Sequence, residues 1–327
     1  MSGLGAVPAA AAGWLRFLAG RVVAAAVTLA VLSVLVFAAT EVLPGDASGA
    51  LAGVDATAAQ RAQVRAELGL DRPAAERYVE WAGGVLRGDL GTAYVGGRPV
   101  AEVLADRLPD SLLLAGVALA VMVPAAVVLG LLAGLRAGGG TDRVISTAAL
   151  VAVGVPEFLT AAALVAVLAT GLGLLPGVSL VPLGGSPLDD PVILVLPAAT
   201  LVVVGLALAT RMLRASAADV AAAPYVEAAR LNGVRGLRLA VLHVLPNAAG
   251  PAVQVLASTI GGLVGGAVVV ETFFGYPGVG FELQQAVLRR DVPVVQGLVL
   301  VLSAVSLGAL LVGDVVRRVL DGERRAA

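Results

Sequence analysis

Five long stretches of this chain contain no charged side chain, and a sixth is broken by a single acid. The clean runs are 22–40, 111–135, 191–210, 248–270 and 292–313; the interrupted one is 144–171, which carries "GVPEF" at 154–158. A helix needs roughly 20 apolar residues to cross the hydrocarbon core of a bilayer. The runs therefore predict an all-α membrane protein with six transmembrane helices. Composition agrees: 59% of residues are hydrophobic and 14% charged, against about 25% charged in soluble domains. The first run exceeds a signal-peptide h-region and no cleavage site follows it, so it reads as a retained anchor.

Arginine placement orients the spans. Every basic residue is Arg. With the N-terminus inside, the inner segments hold Arg16 and Arg21, Arg136 and Arg143, five Arg of 211–238, and four of 317–325. The outer segment 172–190 has none and 272–293 has two. Segment 41–110 holds seven, but long loops cross with little regard to charge. The expectation is N-in/C-in. It divides the chain into a cytoplasmic lead 1–20, without structure to about residue 13; helix 1 at 21–40; a long extracytoplasmic segment 41–110; a five-helix core 111–316 containing a cytoplasmic loop 211–247; and a cytoplasmic tail 317–327.

That cytoplasmic loop is the polar feature most in need of explanation. In "APYVEAARLNG", Pro224 suits the first helical position, where a missing N–H costs nothing. Glu227 falls in the first turn and Arg230 in the last, each favourable against the helix dipole. Asn232-Gly233 is a left-handed stop, and Pro246 can restart a helix into the fifth span. A structured helix–turn–helix tied to two spans is built to touch a partner; a merely solvated loop is the alternative reading.

Read along the chain, further short motifs fall in a consistent order. They are "LPGD" (43–46), "LGLDRP" (68–73), Tyr78, Trp81 and "GDLG" (88–91); then "VPEF" (155–158), "LLP" (174–176) and "LP" (196–197). After them come "RMLR" (211–214), "YVEAARLNG" (225–233), His243 and "PNA" (246–248). The most specific block is "GGAVVVETFFGYPGVG" (265–280) followed by "RRDVPVVQG" (289–297). Together they resemble the permease subunits of ABC importers, most closely the dipeptide/oligopeptide/nickel branch, over nearly the whole chain. The C-terminus departs from that pattern: Asp321 and Arg324 match only loosely.

The resemblance implies an ATP-driven importer of peptides or nickel or metal chelates that works by alternating access. It implies a second homologous permease, two cytoplasmic ABC ATPases and an extracytoplasmic substrate-binding protein as partners, in a bacterial inner membrane. It assigns ATPase coupling to Tyr225, Glu227, Ala228, Ala229, Arg230 and Gly233. No cofactor and no nucleic-acid partner are implied, and one His with no Cys offers no metal site.

Other residues admit two readings. An acid at membrane depth is costly and usually faces a cavity or a partner, so Glu157, beside helix-breaking Pro156, and Glu271, before "FFGYPGVG", are candidates for a translocation pathway or gate with Phe274 and Pro277. The alternative is charge at the interface level. Phe273, Phe274 and Tyr276 read as an interfacial aromatic belt. The pairs Gly261/Gly265 and Gly262/Gly266 allow close helix approach. Arg211 and Arg214 read as topology determinants that can also meet lipid head groups, and His243 as a hydrogen-bonded residue near the membrane surface. A phosphate-binding loop needs Lys, which is absent, so the chain is not an ATPase by that route. An ion-coupled secondary transporter, which would want internal repeats and mid-membrane ion ligands, is the alternative function.

Overall fold

The computed structural model describes residues 6–42, 47–52, 56–182 and 184–326. The motif at 43–46 lies outside the described residues. In chain order the helices are α1 (Ala6–Val42), α2 (Ala47–Ala52), α3 (Ala58–Glu67), α4 (Ala74–Leu86), α5 (Val100–Gly134), α6 (Gly140–Gly154), α7 (Glu157–Leu164), α8 (Val195–Ala221), α9 (Pro224–Leu231), α10 (Gly236–Leu239), α11 (Leu245–Phe274), α12 (Val279–Arg289) and α13 (Val292–Ala326). Among the described residues there is no strand, only an isolated bridge between Thr92 and Pro99.

Among the described residues four helices are long and apolar enough to cross a membrane: Gly13–Val42, Val100–Gly134, Pro191–Ala221 and Val292–Val319. Gly140–Gly154 and Glu157–Gly171 make a fifth if taken together, but they are bent by 106°. The break has a local cause. A residue preceding proline is pushed out of the helical region, and Val155 is extended at ψ 122. The run read as one interrupted span is therefore two half-helices, the second closing in a π-helical turn over Val165–Gly171. The remaining run, 248–270, falls within the 30 residues of α11.

Helix ends differ from the charge boundaries. α1 starts at Ala6, inside the lead expected to lack structure, because Ala is the best helix former. α5 starts at Val100 and takes in the last eleven residues of the expected outer segment. α8 runs to Ala221, eleven residues into the expected loop 211–247. α13 continues to Ala326 through the expected tail. Charge ends the apolar run but does not end the helix.

The chain divides into two compact units. The first comprises residues 1–104 and 285–307. Here α4 docks on α1 through an aromatic group: Phe37 and Tyr78 meet edge-on at 5.4 Å, and Trp81 lies 6.1 Å from Tyr78. The hydroxyls of Ser33 and Tyr78 hydrogen-bond at 2.9 Å, and Arg77 forks onto the Glu41 carboxylate at 2.8 and 2.5 Å. The segment that follows the 88–91 motif meets the 289–297 motif in this unit. The buried Asp291 carboxylate accepts from the backbone N–H groups of Tyr94 and Val95 at 3.0 and 2.8 Å. Gly297 receives the buried Val100, which a Cβ at 297 would strike at 2.7 Å. Burial raises the Tyr94 phenol pKa above its ordinary value, against the pull of Arg77.

The second unit comprises residues 105–284 and 308–327. α8 lies at its centre, packed against α11, α6 and α7. Glycines let α5 and α8 approach closely: a Cβ at Gly130 would lie 2.7 Å from Leu213 Cβ, and one at Gly134 2.6 Å from Ala217 Cβ. One apolar core gathers Leu114, Met122, Leu196, Leu201, Val270, Phe274 and Tyr276. A second gathers Leu131, Leu213, Ala217, Val226, Ala229, Leu239, Val244 and Ala248.

Candidate functional site

The second core is the seat of the loop between α8 and α11. Pro224 opens α9 at its first turn, and the Ala223 carbonyl accepts from the amides of Val226 and Glu227 at 3.0 and 3.2 Å. The stop is a complete Schellman motif. Gly233 N–H donates to the Arg230 carbonyl at 2.9 Å and Val234 N–H to the Ala229 carbonyl at 3.0 Å, with Gly233 at φ +87. Val234 then packs on the same core as Val226 and Ala229. After the turn, α10 adds Leu239, and a π-helical turn over Ala240–Val244 adds Val244 before α11 begins.

Five of the six residues expected to couple share an accessible position on α9 or its stop. Tyr225, Glu227, Ala228 and Gly233 are exposed and Arg230 is half-buried, its Nη1 3.4 Å from Glu227 Oε2. Ala229 is different. It is buried against the second core, so it seats the helix and does not present to a partner. Sequence reasoning missed two exposed leucines, Leu231 and Leu237, at 81% and 80% accessibility, beside Tyr225 at 47%. His243 is half-buried on the π turn, and its carbonyl accepts from Asn247 Nδ2 at 3.0 Å.

Behind the loop, Arg214 of α8 holds Asp142 of α6. Its Nε and Nη2 reach the two carboxylate oxygens at 2.8 and 2.5 Å, while Gly138 N–H and Ser146 Oγ donate to the same carboxylate at 2.8 and 3.0 Å. The side chains are unequally covered, 34% exposed for Arg214 and 5% for Asp142. Removing one partner is costly when it strands a charge away from water. Arg214→Met should therefore lower the melting temperature of the purified protein more than Asp142→Asn, which leaves a guanidinium able to reach solvent. Equal losses, or the reverse order, would show that the pair does not carry this asymmetry.

At the other end of α11 the proposed gate residues split. Glu157 is half-buried at the start of α7 and rests on α11 at Gly266, where a Cβ would lie 2.6 Å from its carboxylate. Glu271 is fully buried. Its carboxylate accepts from Ser111 Oγ at 2.7 Å and Gly280 N–H at 2.6 Å, and from the Phe281 amide. Ser111 in turn accepts from Val279 N–H at 2.8 Å. The first three N–H groups of α12, which have no partner within their own helix, are thus capped by side chains of α5 and α11.

No described contact joins Glu157 to Glu271. Pro277 is half-buried in the loop between α11 and α12. The aromatic belt needs correction. Phe274 and Tyr276 are fully buried, and Tyr276 Oη donates to the Asp110 carbonyl at 2.8 Å; only Phe273 is exposed. The cause is Gly275, left-handed at φ +65, which folds the chain back over the helix end. Ser111 escaped sequence reasoning, although it is the only polar side chain in the run 111–135.

Four long apolar helices among the described residues, with the bent pair as a fifth, mark a multi-pass membrane protein. Comparison with known proteins makes this specific. The profile described as "Binding-protein-dependent transport system inner membrane component" matches residues 126–326, and that of the corresponding N-terminal region matches residues 14–115. The chain belongs to this family: it is a permease component of the ABC importer class, located in the inner membrane. A Brucella abortus (strain 2308) protein provisionally named a peptide transport system permease is 32% identical over 301 residues, covering 92% of this chain and 96% of the relative. A glutathione transport system permease protein of Pectobacterium atrosepticum is 35% identical over 276 residues, covering 84% and 88%.

Proposed function

We propose that this chain is one of two permease subunits in an ATP-driven importer of short peptides, working with two cytoplasmic ATPases and an extracytoplasmic binding protein. Peptide cargo is favoured over nickel or another metal chelate because the similar proteins carry peptide and glutathione names. The observation that carries the mechanical part is the α9 stop. A short helix is seated on an apolar core and closed by a rigid cap, leaving Tyr225, Glu227, Ala228 and Leu231 outward. Closure of the ATPases displaces this face, and the spans alternate between outward and inward opening. Six spans with both termini inside put α9 in the cytoplasm. Glu157, at the break between α6 and α7, lies along the pathway. Glu271 and Phe274 shape its outer end from within the packed core, with Pro277 in the loop that follows them.

The test is reconstitution. The purified chain alone should show no ATP turnover above background. The complete complex should hydrolyse ATP faster with peptide-loaded binding protein. Uptake by the isolated chain on an ion gradient without ATP would favour a secondary transporter instead. Topology is read separately, since the chain has no native Cys. A cysteine at Ser186 should react with an impermeant thiol reagent in intact cells, and one at Arg235 only after permeabilisation. Labelling at 235 from outside would overturn the orientation.

A further inference from the structure

A groove of about 520 Å³ opens between α6 and α8, lined by Ser146, Leu150, Leu208, Arg211, Met212 and Arg214. Its two ends differ in chemistry. Leu150, Leu208 and Met212 are exposed and apolar. Arg211 is the first charged residue after the run 191–210 and is exposed, and among the described residues it makes no ion pair. Arg214 commits Nε and Nη2 to Asp142, and Nη1 takes no part in that pair. Apolar walls with a guanidinium at the edge of an apolar span fit a molecule with a hydrocarbon tail and an anionic head. Basic pockets between transmembrane helices bind anionic head groups in this way.

We propose that this groove holds an anionic phospholipid, its phosphate against Arg211 and its acyl chain along Leu150, Leu208 and Met212. A free phosphate ion would use the arginine but leave the apolar wall bare. A zwitterionic lipid would cover the wall, but its own ammonium would oppose the guanidinium. The lipid sits beside the Asp142–Arg214 pair, at the end of α8 that leads into α9. The proposal requires only membrane residence and is independent of the cargo.

The test uses the assembled transporter in nanodiscs of phosphatidylcholine with and without phosphatidylglycerol, reading retained lipid by native mass spectrometry. One arginine near a membrane surface is worth about fivefold in affinity for anionic lipid. Arg211→Gln should therefore lower retained phosphatidylglycerol about fivefold at unchanged yield of complex, and Leu150→Glu should lower it likewise by placing an acid on the acyl wall. A photoreactive residue at Met212 should attach to phosphatidylglycerol. Equal retention by parent and Arg211→Gln would overturn the proposal, as would displacement of the lipid by inorganic phosphate. Attachment at 212 to a partner permease or ATPase would also overturn it, by showing that protein covers the groove.

Discussion

Gly233→Val should insert and assemble like the parent yet lose most of its substrate-stimulated ATP turnover. At φ +87 only glycine is at ease, and a branched side chain there costs about 1–2 kcal/mol. Space is not the obstacle, since a Cβ at 233 would meet nothing within 4 Å. The penalty is therefore purely backbone, and the chain escapes it by undoing the two hydrogen bonds that close α9. A cost of 1–2 kcal/mol is a factor of about 5–30 in the population of the native stop, and apparent docking affinity falls by the competent fraction. The same cost is far too small to expel an apolar span from a bilayer. Glu227→Arg should act in the same direction, by reversing charge at the positive end of the helix dipole. Turnover is measured per amount of complex recovered. Parental rates in both variants would mean that α9 is a solvated loop.

Glu271→Ala should have a different signature, a loss of stability that precedes any effect on transport. The substitution leaves the amides of Gly280 and Phe281 and the Ser111 hydroxyl without their acceptor. Each stranded buried donor costs about 1–3 kcal/mol. The melting temperature of the purified complex should fall by on the order of 10 °C. Gly278→Ala should reproduce this without touching the acid, because a Cβ there would overlap the Glu271 carboxyl group. Ser111→Ala should lose less, since it removes one donor to Glu271 and one acceptor for Val279. Parental melting in Glu271→Ala would refute the capping role.

What the sequence revealed and what it hid divide along the range of the interactions. The apolar runs were legible because a bilayer imposes a length on any helix crossing it. The α9 helix was legible because Pro224, Glu227 and Asn232-Gly233 act within a few residues of where they stand. The site of the α6–α7 break was also legible in Pro156, but its 106° was not, because a proline interrupts a hydrogen-bond ladder without choosing the new direction. Ala229 looked like its neighbours Ala228 and Arg230. Only the seat beneath α9, built from Leu213 and Ala217 of another helix, turns it inward. The capping of α12 was beyond local reading, since Ser111 and Glu271 are 160 residues apart. Phe274 and Tyr276 misled for a related reason: aromatics at the end of an apolar run look interfacial until a left-handed glycine reverses the chain.

The glycine notches of α5 bear on how motion crosses this protein. Leu213 and Ala217 sit directly against Gly130 and Gly134 on one side and share a core with Val226 and Ala229 on the other. At Gly134 only the Ala217 methyl and the α8 backbone fill the notch, and at Gly130 the Leu213 side chain closes it, so the two helices lie in direct contact. A push on α9 is taken up by the last turns of α8 and at once by α5, as in a gear train whose teeth are already engaged. Filling either notch with a larger residue would set the shafts apart and let the first part of each stroke be spent in closing the gap.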